Sequence, residues 1–171
     1  TFTEQEVEDF LGREGKDFVE PLREALQLME QSQNLGSIMK FNIPPQARQA
    51  IASRYKHWTK HNAANILEQE LWQRIKPYIE VLLVLTQKYE AVAANPPYMG
   101  SGNMNDDLKK YINSEYTKGK SDLATVFIEF FPHITSQRGY YSFITPPSWM
   151  FLSTFESLRS EIIQNQSIQS L

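Results

Sequence analysis

Apolar residues recur at helical spacing through the first half of the chain. Glu4 to Leu11 predicts a short helix that stops at Gly12. Phe18, Leu22, Leu26 and Met29 share one helical face, which predicts a second helix from Lys16 or Asp17. Pro21 is tolerated in its first turn, and Asn34-Leu35-Gly36 closes it. A loop through Asn42-Ile43-Pro44-Pro45 leads to a third helix that starts on Pro45, where a missing N–H costs nothing, and runs toward Lys60. Leu67, Leu71, Ile75, Tyr78, Leu82 and Leu85 predict a longer helix from about Ala63, which Pro77 should kink or divide.

The texture changes near residue 88. Tyr89 to Ala94 is a short, mostly apolar run, expected to be a strand buried on both faces. Turn residues follow through Gly100-Ser101-Gly102-Asn103. Asp106 to about Ser114 reads as a short helix. Ser121-Asp122 caps a further helix whose apolar face carries Leu123, Val126, Phe127, Phe130 and Phe131, with Pro132 near its end. Arg138-Gly139 predicts a turn, and Tyr140 to Thr145 a second strand. Pro146-Pro147-Ser148 leads into a last helix presenting Phe151, Leu152, Phe155, Leu158 and Ile162. The order strand, helix, strand, helix is a βαβα unit with parallel strands. The division expected is therefore a helical region over 1–88 and an α/β region over 89–171.

Composition narrows the function classes. The 171 residues are 41% hydrophobic and 22% charged, ordinary globular usage. The formal charge is -3 and no basic block exists, so a strong phosphate grip is not built into this chain. The absence of cysteine excludes a disulfide framework and a thiolate metal site, and agrees with a cytoplasmic protein. No stretch of roughly 18 apolar residues occurs, so no transmembrane helix is expected. The chain starts on Thr1 and two strands alone make a poor sheet, so an internal fragment of a longer enzyme is expected. Such a piece should expose apolar surface around Tyr89–Ala94.

The candidate chemistry sits at Asn95-Pro96-Pro97-Tyr98. Ligands of open α/β sheets bind outside the carboxyl ends of the strands, where this segment falls. Pro96 biases Asn95 to an extended conformation, and Pro97 does the same to Pro96. The pair fixes the backbone and offers carbonyl oxygen without an N–H. The Asn95 side-chain oxygen beside the Pro96 carbonyl makes two converging acceptors, and Tyr98 adds a flat face for stacking. Those acceptors suit the two N–H donors of an exocyclic amine. Holding them raises electron density on a poorly nucleophilic nitrogen while positive charge develops. A base would have to leave its duplex to reach such a pocket.

At this point the residues carry a resemblance. Asn95-Pro96-Pro97-Tyr98 after an apolar strand resembles the catalytic motif of adenine-N6 amino methyltransferases. The agreement continues through Tyr98-Met99-Gly100-Ser101, Ser121-Asp122-Leu123-Ala124, Phe127-Ile128-Glu129, Gly139 to Pro146, Ser148 to Leu152, and Phe155 to Arg159. Together these resemble the large adenine methyltransferases of BREX phage-defence systems, the PglX group, and fused restriction–modification enzymes. The resemblance covers roughly residues 85 to 163, and the helical region only loosely. It implies a partial Rossmann-like methyltransferase fold and S-adenosylmethionine as cofactor. It also implies double-stranded DNA with a flipped adenine as substrate, alongside other phage-defence or restriction subunits. It places Asn95 and the Pro96 carbonyl on the target amine, Tyr98 on the adenine face, and Asp122 and Leu123 on the adenine side of the cofactor.

Departures from the family pattern are equally specific. Before the motif the only glycines are Gly12, Gly15 and Gly36, so the Gly-rich cofactor loop is not identifiable, nor is an acidic residue for the cofactor ribose. The chain alone is therefore expected to be inactive. Two other functions fit the same residues: an amine methyltransferase acting on protein glutamine or RNA, and a helical interaction module with a scaffolding α/β part. Asn-Pro-x-Tyr is also a peptide signal, though such signals sit in disordered tails.

Other candidates have plain structural readings beside the functional ones. His57 and His61 share a helix face, but Glu68 or Glu70 is a poor third metal ligand, so two exposed histidines are expected and no metal. His133 is read as a helix-end residue. Trp149, Phe151 and Phe155 fit a core pattern better than a stacking platform, though Trp149 follows a strand end and is a candidate for the pocket rim. Lys109, Lys110, Lys118 and Lys120 flank the post-motif loop as solvated charges. Lys118 and Lys120 are the candidates for phosphate contact.

Overall fold

Tyr89–Ala94 (β1) and Thr135–Phe143 (β2) lie side by side and parallel in the computed structural model of the chain, which describes residues 1–61 and 65–170. They belong to the second of two units, Thr1–Gln87 and Lys88–Leu171. The fold is a partial Rossmann-like α/β arrangement following a helical region.

The helical unit contains α1 (Glu4–Leu11), α2 (Val19–Met29), α3 (Ser32–Leu35), α4 (Pro45–Lys60) and α5 (Ile66–Leu85). Thr3 and Glu6 form a reciprocal capping box that starts α1, and Gly12 ends it with φ of 69°. That left-handed value suits a residue without Cβ. The predicted second helix begins later, because Arg13–Phe18 is a 3-10 segment, and it ends at Met29 before the short α3. Helix α4 starts on Pro45, as the rule for a residue lacking N–H anticipates. Arg54 Nε (2.8 Å) and Trp58 Nε1 (3.1 Å) both donate to the Phe10 carbonyl, satisfying an acceptor near the end of α1.

Of the expectations for α5, the one for Pro77 changes. Its expected start at Ala63 lies outside the described residues. Pro77 neither ends nor divides it, for Ile66–Leu85 is one helix with Pro77 inside. Packing of Leu71, Ile75, Ile79 and Leu82, all buried, offsets the missing backbone bond. Ile79 rather than Tyr78 completes the buried stripe, and Leu67 is exposed.

In the second unit α6 (Asp106–Glu115) and α7 (Leu123–Ile134) connect β1 to β2, and α8 (Glu156–Asn165) follows. Helix α7 covers one side of the strands: Phe131 meets Tyr141 at 5.8 Å and Phe143 at 5.7 Å, ring to ring. Burial there pushes the Tyr141 phenol pKa up. Tyr116, fully buried against Phe130, is pushed up further for the same reason.

The expectation that β1 is buried on both faces is corrected. Its residues are half-buried or exposed and none is buried, and on the far side Ala91, Ala93, Tyr140, Ser142 and Ile144 are exposed, as expected of a piece that leaves apolar surface around Tyr89–Ala94 uncovered. Among the described residues of this unit, no element covers that side. Arg138-Gly139 is likewise not a turn but part of a bulge inside a longer β2. Between the pairs Tyr89–Thr135 and Ala91–Tyr140, β1 advances two residues while β2 advances five. Gly139 permits the crowding: a Cβ there would sit 2.8 Å from Ser136 Oγ and 2.9 Å from the Glu90 carbonyl oxygen.

The last helix is also rearranged. Pro147–Met150 and Ser153–Phe155 are 3-10 turns, and α8 begins only at Glu156. Trp149, Phe155, Leu158 and Ile162 pack with Ile128 of α7, whereas Phe151 and Leu152 point to solvent.

Candidate active site

Asn95, Pro96, Pro97 and Tyr98 leave the carboxyl end of β1 and are held there by backbone bonds to two other elements. The Ile144 N–H donates to the Ala94 carbonyl (3.2 Å), so the two strand ends stay paired as the motif begins. Beyond it, the Leu123 N–H donates to the Met99 carbonyl (2.9 Å) and the Ser101 N–H to the Ser121 carbonyl (2.9 Å). Gly100 and Asp122 thereby form an antiparallel bridge. The motif is a span tied at one end to the sheet and at the other to the start of α7.

Within that span Pro96 is buried, while Asn95, Pro97 and Tyr98 are exposed. The Tyr98 hydroxyl lies 3.4 Å from Asn95 Oδ1 and 3.3 Å from the Ile144 carbonyl oxygen, and donates toward both acceptors. These are long bonds, and a better donor would displace them. Tyr98 as a residue is 56% exposed, which leaves it accessible to a stacking partner. A shallow depression of about 400 Å³ adjoins, lined by Ala93, Ala94, Asn95, Ser142, Phe143 and Ile144. Its one side-chain amide is that of Asn95.

The start of α7 is rigid for local reasons. Asp122 Oδ1 accepts from the Ala124 N–H (2.8 Å), an N-cap bond. Thr125 Oγ1 donates to the Gly119 carbonyl (2.6 Å). Glu129 reaches back to accept from the N–H groups of Lys118 (3.1 Å) and Gly119 (2.7 Å). Leu123 is buried as the first residue of α7, and its N–H is the group bonded to Met99.

The remaining predicted residues are placed differently. Trp149 is buried in the core, and its Nε1 donates to Thr145 Oγ1 (2.9 Å), which follows Ile144. The Lys118 ammonium pairs with Glu161 of α8, which takes it out of the pool of free cations. Lys120 is exposed. A second depression, about 430 Å³, is lined by Lys118, Glu161 and polar residues of α8 and has no aromatic face for a base. His57 and His61 stack at 4.2 Å, and His61 Nδ1 lies 2.9 Å from the His57 carbonyl oxygen. Among the described residues, no three side chains converge as metal ligands.

The glycines test whether S-adenosylmethionine fits. Gly12 and Gly36, the described glycines with positive φ, end helical segments, and Gly15 packs on Leu11. Gly119 is closed by the backbone of α7, and Gly100 and Gly102 face open space. None lines a cradle for a cofactor, and the depression beside Asn95 carries no carboxylate for a ribose. Among the described residues, the remaining candidates for that cofactor are Asp122 and Leu123 at the start of α7.

Sequence reasoning missed three groups that hold the site: the Ile144 carbonyl, Gly119 and the Glu129 carboxylate. Only Gly119 left a signal, as a lone glycine between two lysines just ahead of a helix cap.

Comparison with known proteins identifies the family. The Eco57I restriction-modification methylase family matches residues 20–171. The chain is similar to the adenine-specific methyltransferase BrxX of Escherichia coli O9:H4 (strain HS), at 32% identity over 148 residues, 85% of this chain and 12% of that protein. It is also similar to the adenine-specific methyltransferase PglX of Lacticaseibacillus casei (strain Zhang), at 41% identity over 91 residues, 53% of this chain and 8% of that protein. The chain thus spans about a tenth of the length of these curated relatives.

Proposed function

We propose, for a chain that belongs to the Eco57I restriction-modification methylase family, that it carries the base-handling part of a DNA adenine-N6 methyltransferase. The observation that carries the reading is Asn95 Oδ1 and the exposed Tyr98, fixed together at the carboxyl ends of parallel strands. The substrate is double-stranded DNA with its target adenine rotated out of the stack. The methyl donor of this reading is S-adenosylmethionine. The enzyme works in the cytoplasm, in phage defence or restriction, with other subunits of such a system. Residues 89–171 form the partial catalytic domain, and residues 1–88 a helical region.

The work of this chain's residues follows from their chemistry. The adenine amine donates its two N–H groups to Asn95 Oδ1 and the Pro96 carbonyl, displacing the long bond from Tyr98. Both acceptors hold negative partial charge where the nitrogen becomes positive, and neither needs to reorganise. Pro97 keeps the Pro96 carbonyl directed by restricting its backbone. Tyr98 stacks on the extruded ring, an interaction worth about 1–3 kcal/mol per base. The surplus proton leaves the amine after transfer, so no strong base is required. Asp122 and Leu123 contribute to the cofactor's adenine side through the first turn of α7.

The test is DNA methylation by the full-length protein with labelled cofactor. Asn95→Ala should lower kcat by roughly 100- to 1,000-fold, the loss typical of a preorganised polar group at the reacting atom. Unchanged methylation in that variant would remove the assignment, and would favour a scaffolding role for the chain.

A further inference from the structure

Three consecutive apolar side chains stand in solvent between β2 and α8: Met150 at 41%, Phe151 at 68% and Leu152 at 46% exposure. Exposed apolar residues are ordinary when scattered, but a fixed run of them marks a contact surface. This run is fixed. Arg159 Nη1 donates to the Trp149 carbonyl (2.8 Å) and to the Leu152 carbonyl (2.7 Å), bracketing the segment. The N–H groups of Phe151 (3.3 Å) and Leu152 (3.0 Å) both donate to the Ser148 carbonyl. Trp149 on one side and Phe155 on the other are anchored in one core cluster. The backbone therefore turns its flanking aromatics inward and these three side chains outward.

The segment belongs to the same end of the sheet as the motif. Trp149 Nε1 bonds Thr145, Thr145 follows Ile144, and the Ile144 carbonyl accepts from Tyr98. Its surroundings are uncharged, so nothing there repels a polyanion: from Gly139 to Phe155 the sequence holds no Asp or Glu, and no Lys or Arg. The hydroxyls of Ser153 and Thr154 are exposed beside the apolar trio, and such groups bond phosphate oxygens.

We propose that Met150–Leu152 is a preformed apolar surface for the DNA duplex beside the extruded adenine, and that Arg159 is its positioning residue. The inference rests on the base-handling reading above. Removing a base from the stack leaves neighbouring bases with uncovered faces, and Phe, Met and Leu are the side chains that cover or wedge such steps. Phe151, the most exposed of the three, makes the principal contact.

The test uses the full-length protein and a duplex containing the site that it methylates in its host, with 2-aminopurine as the target base. Phe151→Ala should raise KM for DNA about 5- to 100-fold, the range for losing one base–aromatic contact, and weaken the 2-aminopurine signal. Its melting temperature should match the wild type. Arg159→Met should raise KM similarly, and Arg159→Lys, which retains a donor, should restore most of it. A fall in melting temperature with unchanged KM would mean that the segment packs against protein, and would overturn the proposal. So would unchanged values of both. Asn95→Ala separates the two levels. If it methylates normally, the base-handling reading fails. If it is inactive while Phe151→Ala binds DNA like the wild type, only the assignment of this surface fails.

Discussion

A methyl group at Gly119 has no space to enter. A Cβ built there meets the backbone of the first turn of α7, lying 2.7 Å from the Thr125 carbonyl carbon and 2.9 Å from the Val126 nitrogen. No flexible side chain can yield, so Gly119 and α7 must separate. Gly119 is held from both directions, donating to Glu129 (2.7 Å) and accepting from Thr125 Oγ1 (2.6 Å). Overpacking a rigid contact costs about 1–3 kcal/mol, and a strained hydrogen bond adds about 0.5–1.5. Gly119→Ala should therefore destabilise by about 2–4 kcal/mol, a fall in melting temperature of roughly 4–16 °C for a chain of this size. Calorimetry would measure it, with Gly102→Ala as the control. That position lies in the same connection, has no positive φ and meets nothing within 4 Å, so its change should stay within about 0.5 kcal/mol. The start of α7 is bonded to Met99 and Ser101, so the motif should move with it. Methylation by Gly119→Ala should drop up to about 100-fold even below its melting range. A Gly119→Ala protein that melts with the wild type, or a Gly102→Ala protein that falls as far, would refute the reasoning.

Tyr98 should show that its face matters more than its hydroxyl. Tyr98→Phe, losing two long bonds, should lower kcat/KM by no more than about tenfold, whereas Tyr98→Ala should lose about 5- to 100-fold in DNA binding. Equal damage from both would place the function in the phenol. Glu6 carries an acid dependence. The Thr3 backbone N–H, and then Arg74, hold its carboxyl below the usual carboxylate range. A depressed folded-state pKa gives stability that is full above the unfolded value and lost as pH falls through the folded one. Glu6→Gln should thus flatten the stability profile between about pH 5 and pH 3, read by denaturant unfolding across pH. An unchanged slope would discount the capping box.

The fold was legible where a local rule had no competitor. Gly12 and Pro45 mark helix ends because backbone geometry leaves them few other places. The β1 boundaries and the Asp122 cap followed from pattern alone. Tertiary packing overrode the local signal elsewhere. Pro77 stays inside a helix whose buried stripe holds it, and Gly139 serves a bulge because β2 must pass close to Glu90. Phe151 and Leu152 read as core from spacing, but the Arg159 bracket turns that stretch into loops and 3-10 turns, where helical periodicity no longer assigns a face. The motif's place was readable, since the apolar run of β1 stops at Asn95-Pro96. Its support was not, because a backbone carbonyl such as that of Ile144 has no signature in sequence.

The arrangement divides rigidity from exposure in a way that bears on catalysis. Asn95 and Tyr98 are open to solvent, yet each backbone segment beside them is bonded to β2 or α7. The groups that fix it, Glu129 and Thr125, lie on α7 behind the loop and take no part in the site. An acceptor such as Asn95 Oδ1 gains catalytic value only if it need not reorient as charge develops. Its resting partner must then be weak, and the 3.4 Å bond from Tyr98 meets that condition. A stronger internal bond would have to be broken for each substrate, and no bond at all would leave the amide free to rotate. The long contact leaves Asn95 Oδ1 available, which is the condition that the proposed role as an amine acceptor sets.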